Sequence, residues 1–358
     1  MSLIYKNFLT NIKKHPNKIF IYDLKKSYTG YDCLNYLHKI SKFIKLNKIK
    51  NIGIKSKNSF HWAIWYLASD RYCQRIFIIK KDINSKILNN LKKKYKLDCV
   101  VSTNGKKLIS FNKTNKVDKN EREDILFTSG TTNFPKGVVI KEKSFLHVVK
   151  ILTRKFDQSN SDLELLSMPF DHSFGLVRLR CCLYSGTQML ISDGLKNFPD
   201  IFSFSKKKKI TGLSLVPSGV ELIRILLKNK VNEFSNYLKY FEIGSSSLNN
   251  KTRLWLKNNF KNTNILHHYG MTEASRSFLI SRGKKDKLNL SNNIIGNVIP
   301  GCKYKIDYKT KKNKGELLIK GKNLFYNYLD IKDKTKKLNN EWFRTGDICE
   351  KIGRNIKL

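Results

Sequence analysis

A chain of 358 residues, 40% hydrophobic and 11% aromatic, can fill a large core of one or two domains, which excludes a disordered or fibrous protein. Its 70 Lys and Arg against 28 Asp and Glu give a formal net charge of +42. The lysines are spread beside apolar segments without interleaved aromatics, so specific nucleic-acid binding is not expected. No apolar run approaches the ~18 residues of a membrane helix, no signal-peptide pattern opens the chain, and the seven cysteines form no C-x-x-C pair. The expectation is a cytoplasmic protein with reduced thiols, no membrane span and no cysteine-built metal site.

Residues 6–34 read as helix, strand, turn and helix. Residues 51–69 follow as a core strand and a helix, with Asn58 or Ser59 as N-cap. Residues 75–79 and 98–102 are further strands around a Lys-rich helix at 84–95, and 103–122 is a polar loop. This alternation predicts a parallel sheet with helices on its faces.

Residues 125–140, ILFTSGTTNFPKGVVI, combine a strand (125–127), a small-residue loop (128–137) and a second strand (138–140). Gly130 and Gly137 permit tight turns. The hydroxyls of Thr128, Ser129, Thr131 and Thr132 can donate to phosphate oxygens, and Lys136 supplies a point charge. The same composition also fits a polar surface turn. A Walker loop is excluded, because that needs Ser or Thr after the lysine at a helix start, and here Gly137 and a strand follow.

Ser144 is the expected cap of a helix reaching about Lys155. Residues 163–176 give a strand, then Pro169 and a turn, with Gly175 opening a helix that Gly186 ends. Taken without its flanking residues, His172 reads sooner as a partly buried turn histidine satisfied by the backbone than as a pocket residue. A strand at 187–191 and a helix at 198–206 follow, then a strand and a helix over 211–227 with Pro217 at its start. Residues 238–248 form a strand ending in a Gly/Ser turn, and Asn249 caps a helix through Phe260.

In 264–275, a strand ends at His268 and the string Tyr269, Gly270, Met271, Thr272, Glu273 comes next. It offers an aromatic face, a hydroxyl and one carboxylate, and Mg²⁺ needs only one or two carboxylates beside phosphate oxygens. The adjacent His267 and His268 read as structural rather than as a metal pair. The tail segments 294–306, 315–329 and 339–348 are β-rich, with Asp347 in a turn after Gly346.

These strings, in this order, resemble the AMP-forming acyl-adenylating enzymes: acyl-CoA synthetases and related adenylate-forming ligases. Asn133 stands where that family usually has Gly, and the Gly244–Leu248 turn lacks its usual Pro. The resemblance implies a layered α/β/α/β/α large domain over 1–348, with parallel-rich sheets and a small β-rich subdomain, and 349–358 leading towards a hinge. It also implies ATP, Mg²⁺, a carboxylic acid substrate, and a thiol from CoA or the phosphopantetheine of an acidic carrier protein.

Carried over, Thr128, Ser129, Gly130, Thr131, Thr132 and Lys136 hold the β- and γ-phosphates, Thr272 the α-phosphate, and Glu273 the Mg²⁺. Gly244, Ser245, Ser246, His268, Tyr269 and Gly270 line the adenine, and Asp347 takes the ribose hydroxyls. His172, Phe174 and Gly175 border the acyl group. Lys136, Thr272 and Glu273 form the catalytic set. Phe170–Ser173 also resembles a string of amino-acid-activating relatives, in which Asp171 would pair with an ammonium group. The family's bridging lysine lies in a C-terminal domain beyond the final Gly-Asp, and none is expected in this chain. Two readings follow: a ligase completed by a separate C-terminal-domain polypeptide or working slowly alone, and a binding protein or decayed fragment that holds ATP or an acyl-adenylate without turnover.

Overall fold

A computed structural model describes residues 2–102, 122–128, 135–282, 293–311, 313–329, 342–353 and 355–358. The first half comprises α1 (Leu3–Lys14), β1 (Ile19–Tyr22), β2 (Ser27–Thr29), α2 (Gly30–Leu46), β3 (Asn51–Lys55), α3 (Phe60–Tyr72), β4 (Arg75–Ile79), α4 (Ser85–Lys94) and β5 (Cys99–Ser102). Next come β6 (Glu123–Thr128), β7 (Lys136–Lys141), α5 (Glu142–Lys155), β8 (Leu163–Leu166), α6 (Ser173–Ser185), β9 (Gln188–Ile191), α7 (Phe198–Lys207) and β10 (Gly212–Leu215). The chain continues through α8 (Pro217–Leu227), α9 (Val231–Ser235), β11 (Tyr240–Gly244), α10 (Asn250–Asn259), β12 (Asn264–Met271) and β13 (Ala274–Arg282). It finishes with β14 (Asn297–Val298), β15 (Cys302–Lys311), β16 (Lys314–Gly321), β17 (Asn327–Tyr328), β18 (Phe343–Ile352) and β19 (Asn355–Lys357).

Local chemistry explains many of these boundaries. Thr29 and Asp32 form a reciprocal capping box that starts α2. Ser59 accepts the Trp62 N–H at 3.1 Å to start α3. Gly186, at φ +70°, ends α6 in the left-handed region.

Three sheets result. Nine strands run in the order β14-β13-β12-β11-β10-β8-β9-β1-β2, six in the order β17-β7-β6-β4-β3-β5, and four antiparallel strands in the order β15-β16-β18-β19. The two larger sheets are parallel through their centres, with antiparallel strands at their edges.

The cores show the layering. One cluster joins α1, α2, α3, α5 and α6 to the facing sides of both large sheets. A second packs α7 to α10 on the outer face of the nine-stranded sheet, and a third packs α4 on the six-stranded one. The sequence therefore folds into helix, sheet, helix, sheet, helix, with a small antiparallel sheet beside them. In the middle layer α3 is buried over most of its length, with Trp62, Ile64, Tyr66 and Leu67 fully buried.

The middle layer also holds two fully buried arginines on α6. Arg178 donates to Glu164 on β8, with Nε to Oε1 at 2.8 Å, and stands 3.4 Å from Glu242 on β11. Arg180 turns to the other sheet, 3.3 Å from Asp124 on β6 and 3.5 Å from Asp70 on α3. Buried charges of this kind are tolerated only when paired and hydrogen-bonded. Here they lock α6 to both sheets.

Three expectations are corrected. Ser144 is not a helix cap: α5 begins at Glu142, with Lys141 as N-cap, and the Ser144 hydroxyl instead donates to the Leu324 carbonyl at 2.9 Å. The helix expected from Gly175 starts two residues earlier, at Ser173. The strand expected to end at His268 runs through Met271 and pairs with β13 as a hairpin. The loop proposed for 103–122 falls, except for Arg122, outside the described residues.

Candidate nucleotide site

The β6–β7 hairpin brings Thr128 opposite Lys136. Ser129, Gly130, Thr131 and Thr132 lie outside the described residues. On the hairpin's other edge β17 pairs with β7, so that Tyr328 stands opposite Val138. The Lys136 ammonium is 5.8 Å from the centre of the Tyr328 ring. The phenol of Tyr328 donates to Glu273 Oε1 at 3.0 Å. Two residues far apart in sequence, Lys136 and Glu273, thus share one aromatic neighbour.

Glu273 and Thr272 form the two-residue tip of the β12–β13 hairpin, between the paired Met271 and Ala274. A Cβ on Gly270 would lie 2.4 Å from the Arg276 nitrogen, so this tight hairpin needs glycine there. The Phe325 N–H donates to the Glu273 carbonyl at 2.8 Å and ties the tip to the tail. One oriented carboxylate suits Mg²⁺, which takes most of its oxygens from phosphate and water. Among the described residues no cluster of three or more His, Cys, Asp or Glu could hold a metal by itself.

Tyr269 lies on the same strand as this tip and donates its phenol to Asp347 Oδ2 at 2.5 Å. Burial and the Asp347 carboxylate push its pKa up, which keeps it a donor. This bond joins the nine-stranded sheet to β18 of the small sheet. Next to it opens a cleft of about 230 Å³, bordered by Ser245–Leu248, His267, His268, Tyr269, Arg253, Ile294, Ile295 and Leu358. Gly244 pairs with His268 across β11 and β12, and a Cβ there would lie 2.0 Å from the imidazole. Glycine is the side chain this contact allows.

His268 is buried, with Nδ1 2.8 Å from Glu242 Oε1 and its ring edge-on to Phe174 at 4.7 Å. Burial, together with the Arg276 charge, lowers its pKa and keeps the ring neutral. His267 places Nε2 3.0 Å from the Ser246 carbonyl, and burial brings its pKa down to about 4. Both rings must stay neutral in the folded chain, whereas the unfolded chain protonates them near 6.5. Their contribution to stability is therefore complete above pH 6.5 and lost as pH falls towards 4. A thermal unfolding midpoint that falls across this window in the native chain, and falls less in His267→Asn, is expected. A midpoint flat across the window would refute it.

Behind these residues Arg276, at φ +50° and almost fully buried, donates Nε to Glu242 Oε1 at 3.1 Å. Its other nitrogens donate to the carbonyls of Ser173 and Phe174 at 3.1 and 3.0 Å. Arg276 thus clips the first turn of α6 to β11 and β13. Gly175 is needed there, because a Cβ would lie 2.2 Å from the Pro169 carbonyl. Asn58 holds the approach by donating to Met168 and accepting the Phe170 N–H at 2.8 Å.

His172 departs from this cluster: its side chain is 58% exposed and makes no cap bond to α6. Asp171 is buried and accepts the Lys81 N–H at 3.1 Å, which anchors the loop after β4. Tyr328, Arg276 and Glu242 were not singled out by sequence reasoning. A signal existed for Glu242, as a charged residue inside the apolar strand 240–243, and none for the other two.

A family model described as AMP-binding enzyme matches residues 73–329. The chain belongs to the AMP-binding enzyme family. A 2-succinylbenzoate–CoA ligase of Staphylococcus aureus is 30% identical over 230 residues, covering 63% of this chain and 44% of that protein. Acyl-CoA synthetase 7 of Caenorhabditis elegans is 28% identical over 276 residues, covering 67% and 48%. The chain therefore spans about half the length of these curated relatives.

Among solved structures, the N-terminal domain of FACL13 from Mycobacterium tuberculosis superposes with a TM-score of 0.83 at 15% identity, over 100% of this chain and 99% of that one. O-succinylbenzoate coenzyme A synthetase from Bacillus subtilis, in complex with AMP, gives 0.80 at 14%, over 98% and 77%. At such identities the likeness is one of fold. It places the AMP-binding chain's layered architecture among adenylate-forming enzymes.

Proposed function

We propose that this AMP-binding chain catalyses the activation of a carboxylic acid by ATP. A carboxylate oxygen attacks the α-phosphorus, the bond to the bridging oxygen breaks, and pyrophosphate leaves an acyl-adenylate. A thiol, from CoA or the phosphopantetheine of an acidic carrier protein, then attacks the acyl carbon and AMP departs. The observation that carries this reading is Tyr328, the shared neighbour of the lysine of the phosphate hairpin and the carboxylate of the second motif.

In this reading Lys136, Thr128 and the hydroxyls at 129–132 neutralise the β- and γ-phosphates, and Thr272 donates to the α-phosphate. Glu273 holds a Mg²⁺ whose chemistry is to draw charge from the phosphate oxygens. Tyr269 and the Gly244–Ser246 turn line the adenine, and Asp347 receives the ribose hydroxyls as its bond to Tyr269 is exchanged. Positioning and charge neutralisation, rather than a protein nucleophile, supply the rate.

Carboxylate-dependent exchange of pyrophosphate into ATP tests the proposal. Exchange is expected from the chain alone, or from the chain mixed with a C-terminal-domain polypeptide supplied in trans. ATP binding without exchange in either preparation would leave a nucleotide-holding protein and end the ligase reading.

A further inference from the structure

The nucleotide cleft opens where β11 and β12 reach Gly244 and His268. α8 begins directly after β10 and must run back before the chain enters the parallel strand β11. Its last turn, with Lys228 and Lys230 beyond it, therefore lies at the opposite end of the sheet. Val220, Ile223 and Leu227 of α8 are buried in the outer core. A surface helix needs only that one apolar stripe. Yet Leu222, Ile225 and Leu226 are 41%, 52% and 44% exposed, giving α8 a second apolar face towards solvent.

Lysines are gathered at the end of that face. Lys228 and Lys230 are exposed after α8, and Lys206 to Lys209 are exposed at the end of α7. The two groups belong to one surface, because α7 packs on α9, Lys206 lies 3.0 Å from Glu233, and Lys209 stands 4.5 Å over the half-exposed Tyr237 ring. The nearby acids are engaged: Glu233 by Lys206, and Glu221 by Arg224 and Thr252. An apolar strip, a lysine cluster and an aromatic ring at the rim are the composition of a helix lying in a lipid interface.

We propose that the outer face of α8 docks on an anionic lipid surface, with Leu222, Ile225 and Leu226 entering the headgroup boundary and the lysines meeting the phosphates. Charge decides the occupant: a chain of net charge +42 is drawn to an anionic bilayer, whereas a second copy of the same chain repels it. Docking at this end leaves the cleft facing solution. The proposal rests on no reading of the active site.

The test is co-sedimentation of the full chain with vesicles of phosphatidylglycerol and phosphatidylcholine, or of phosphatidylcholine alone. Binding to the anionic vesicles is expected, reduced about tenfold or more when Leu222, Ile225 and Leu226 are all changed to Ser. Lys228→Glu with Lys230→Glu should weaken it too, and both variants should keep native ATP binding. Ile225→Trp should add blue-shifted emission on anionic vesicles. Four results would each overturn the proposal: no sedimentation with anionic vesicles, sedimentation unchanged in the triple Ser variant (charge adsorption alone), emission from the Ile225→Trp variant that does not shift on anionic vesicles, or a native dimer that the Ser variant makes monomeric.

Discussion

Glu273→Gln, and separately Lys136→Ala, are each expected to lower carboxylate-dependent pyrophosphate exchange by about 10²–10³-fold, the usual loss when one group that stabilises developing charge is removed. Neither change should move thermal unfolding, because Glu273 sits on a partly exposed hairpin tip and Lys136 at the half-buried end of β7. Tyr328→Phe separates positioning from direct contact. It deletes the bond to Glu273 Oε1 while keeping the ring, and should weaken Mg²⁺ by about 10-fold, as losses of ligand-orienting partners do. The readout is the Mg²⁺ concentration giving half-maximal exchange, taken in whichever preparation supports exchange. Native exchange in Glu273→Gln would remove that residue from the site.

The second large effect concerns stability. Glu242→Ala is expected to cost about 3–5 kcal/mol in a denaturant titration, because it strips the carboxylate from a fully buried ionic cluster. Glu242 is fully buried and stands 3.1 Å from Arg276 Nε, 2.8 Å from His268 Nδ1 and 3.4 Å from Arg178 Nη1. Burial alone would raise its pKa, but the Arg276, His268 and Arg178 partners outweigh it and hold the carboxyl well below the usual range. Without it, Arg276 loses the anion that orients its clamp on Ser173 and Phe174, and Arg178 keeps Glu164 as its anion, with Gln158 beside it. Glu242→Gln retains the shape and an acceptor and should cost less. A loss below about 1 kcal/mol in Glu242→Ala, the size of an ordinary substitution, would show that the cluster is not structurally important.

Much of this fold is legible from residue order alone, for a physical reason in each case. Strands β3 to β6 are short runs rich in Ile, Val and Phe and largely buried, and the helices α3 and α4 that connect β3 to β4 and β4 to β5 dictate parallel pairing. The caps at Thr29, Ser59, Asn249 and Gly186 are local bonds or local dihedrals, which a short window of sequence contains. Ser144 shows the limit. Its hydroxyl suits a cap, yet its partner is a carbonyl in the tail, reached only after α5 has packed beneath the last strands.

The site divides in the same way. Sequence by itself determined the residue types that can meet a nucleotide: the hydroxyl-rich hairpin ending at Lys136, the Tyr269–Glu273 string and Asp347. Only the tertiary structure decided which of them meet, and why Gly270 must close the hairpin. Tyr328 reaches both Lys136 and Glu273 because β17 adds to the edge of β7, and Tyr269 finds Asp347 because the small sheet lies against β12. His172, chosen from its string, stands exposed, whereas Arg276, passed over in the sequence, holds α6 to β13. Short motifs encode chemistry within reach of one turn of chain; contacts across layers depend on pairing and packing that only the folded backbone specifies.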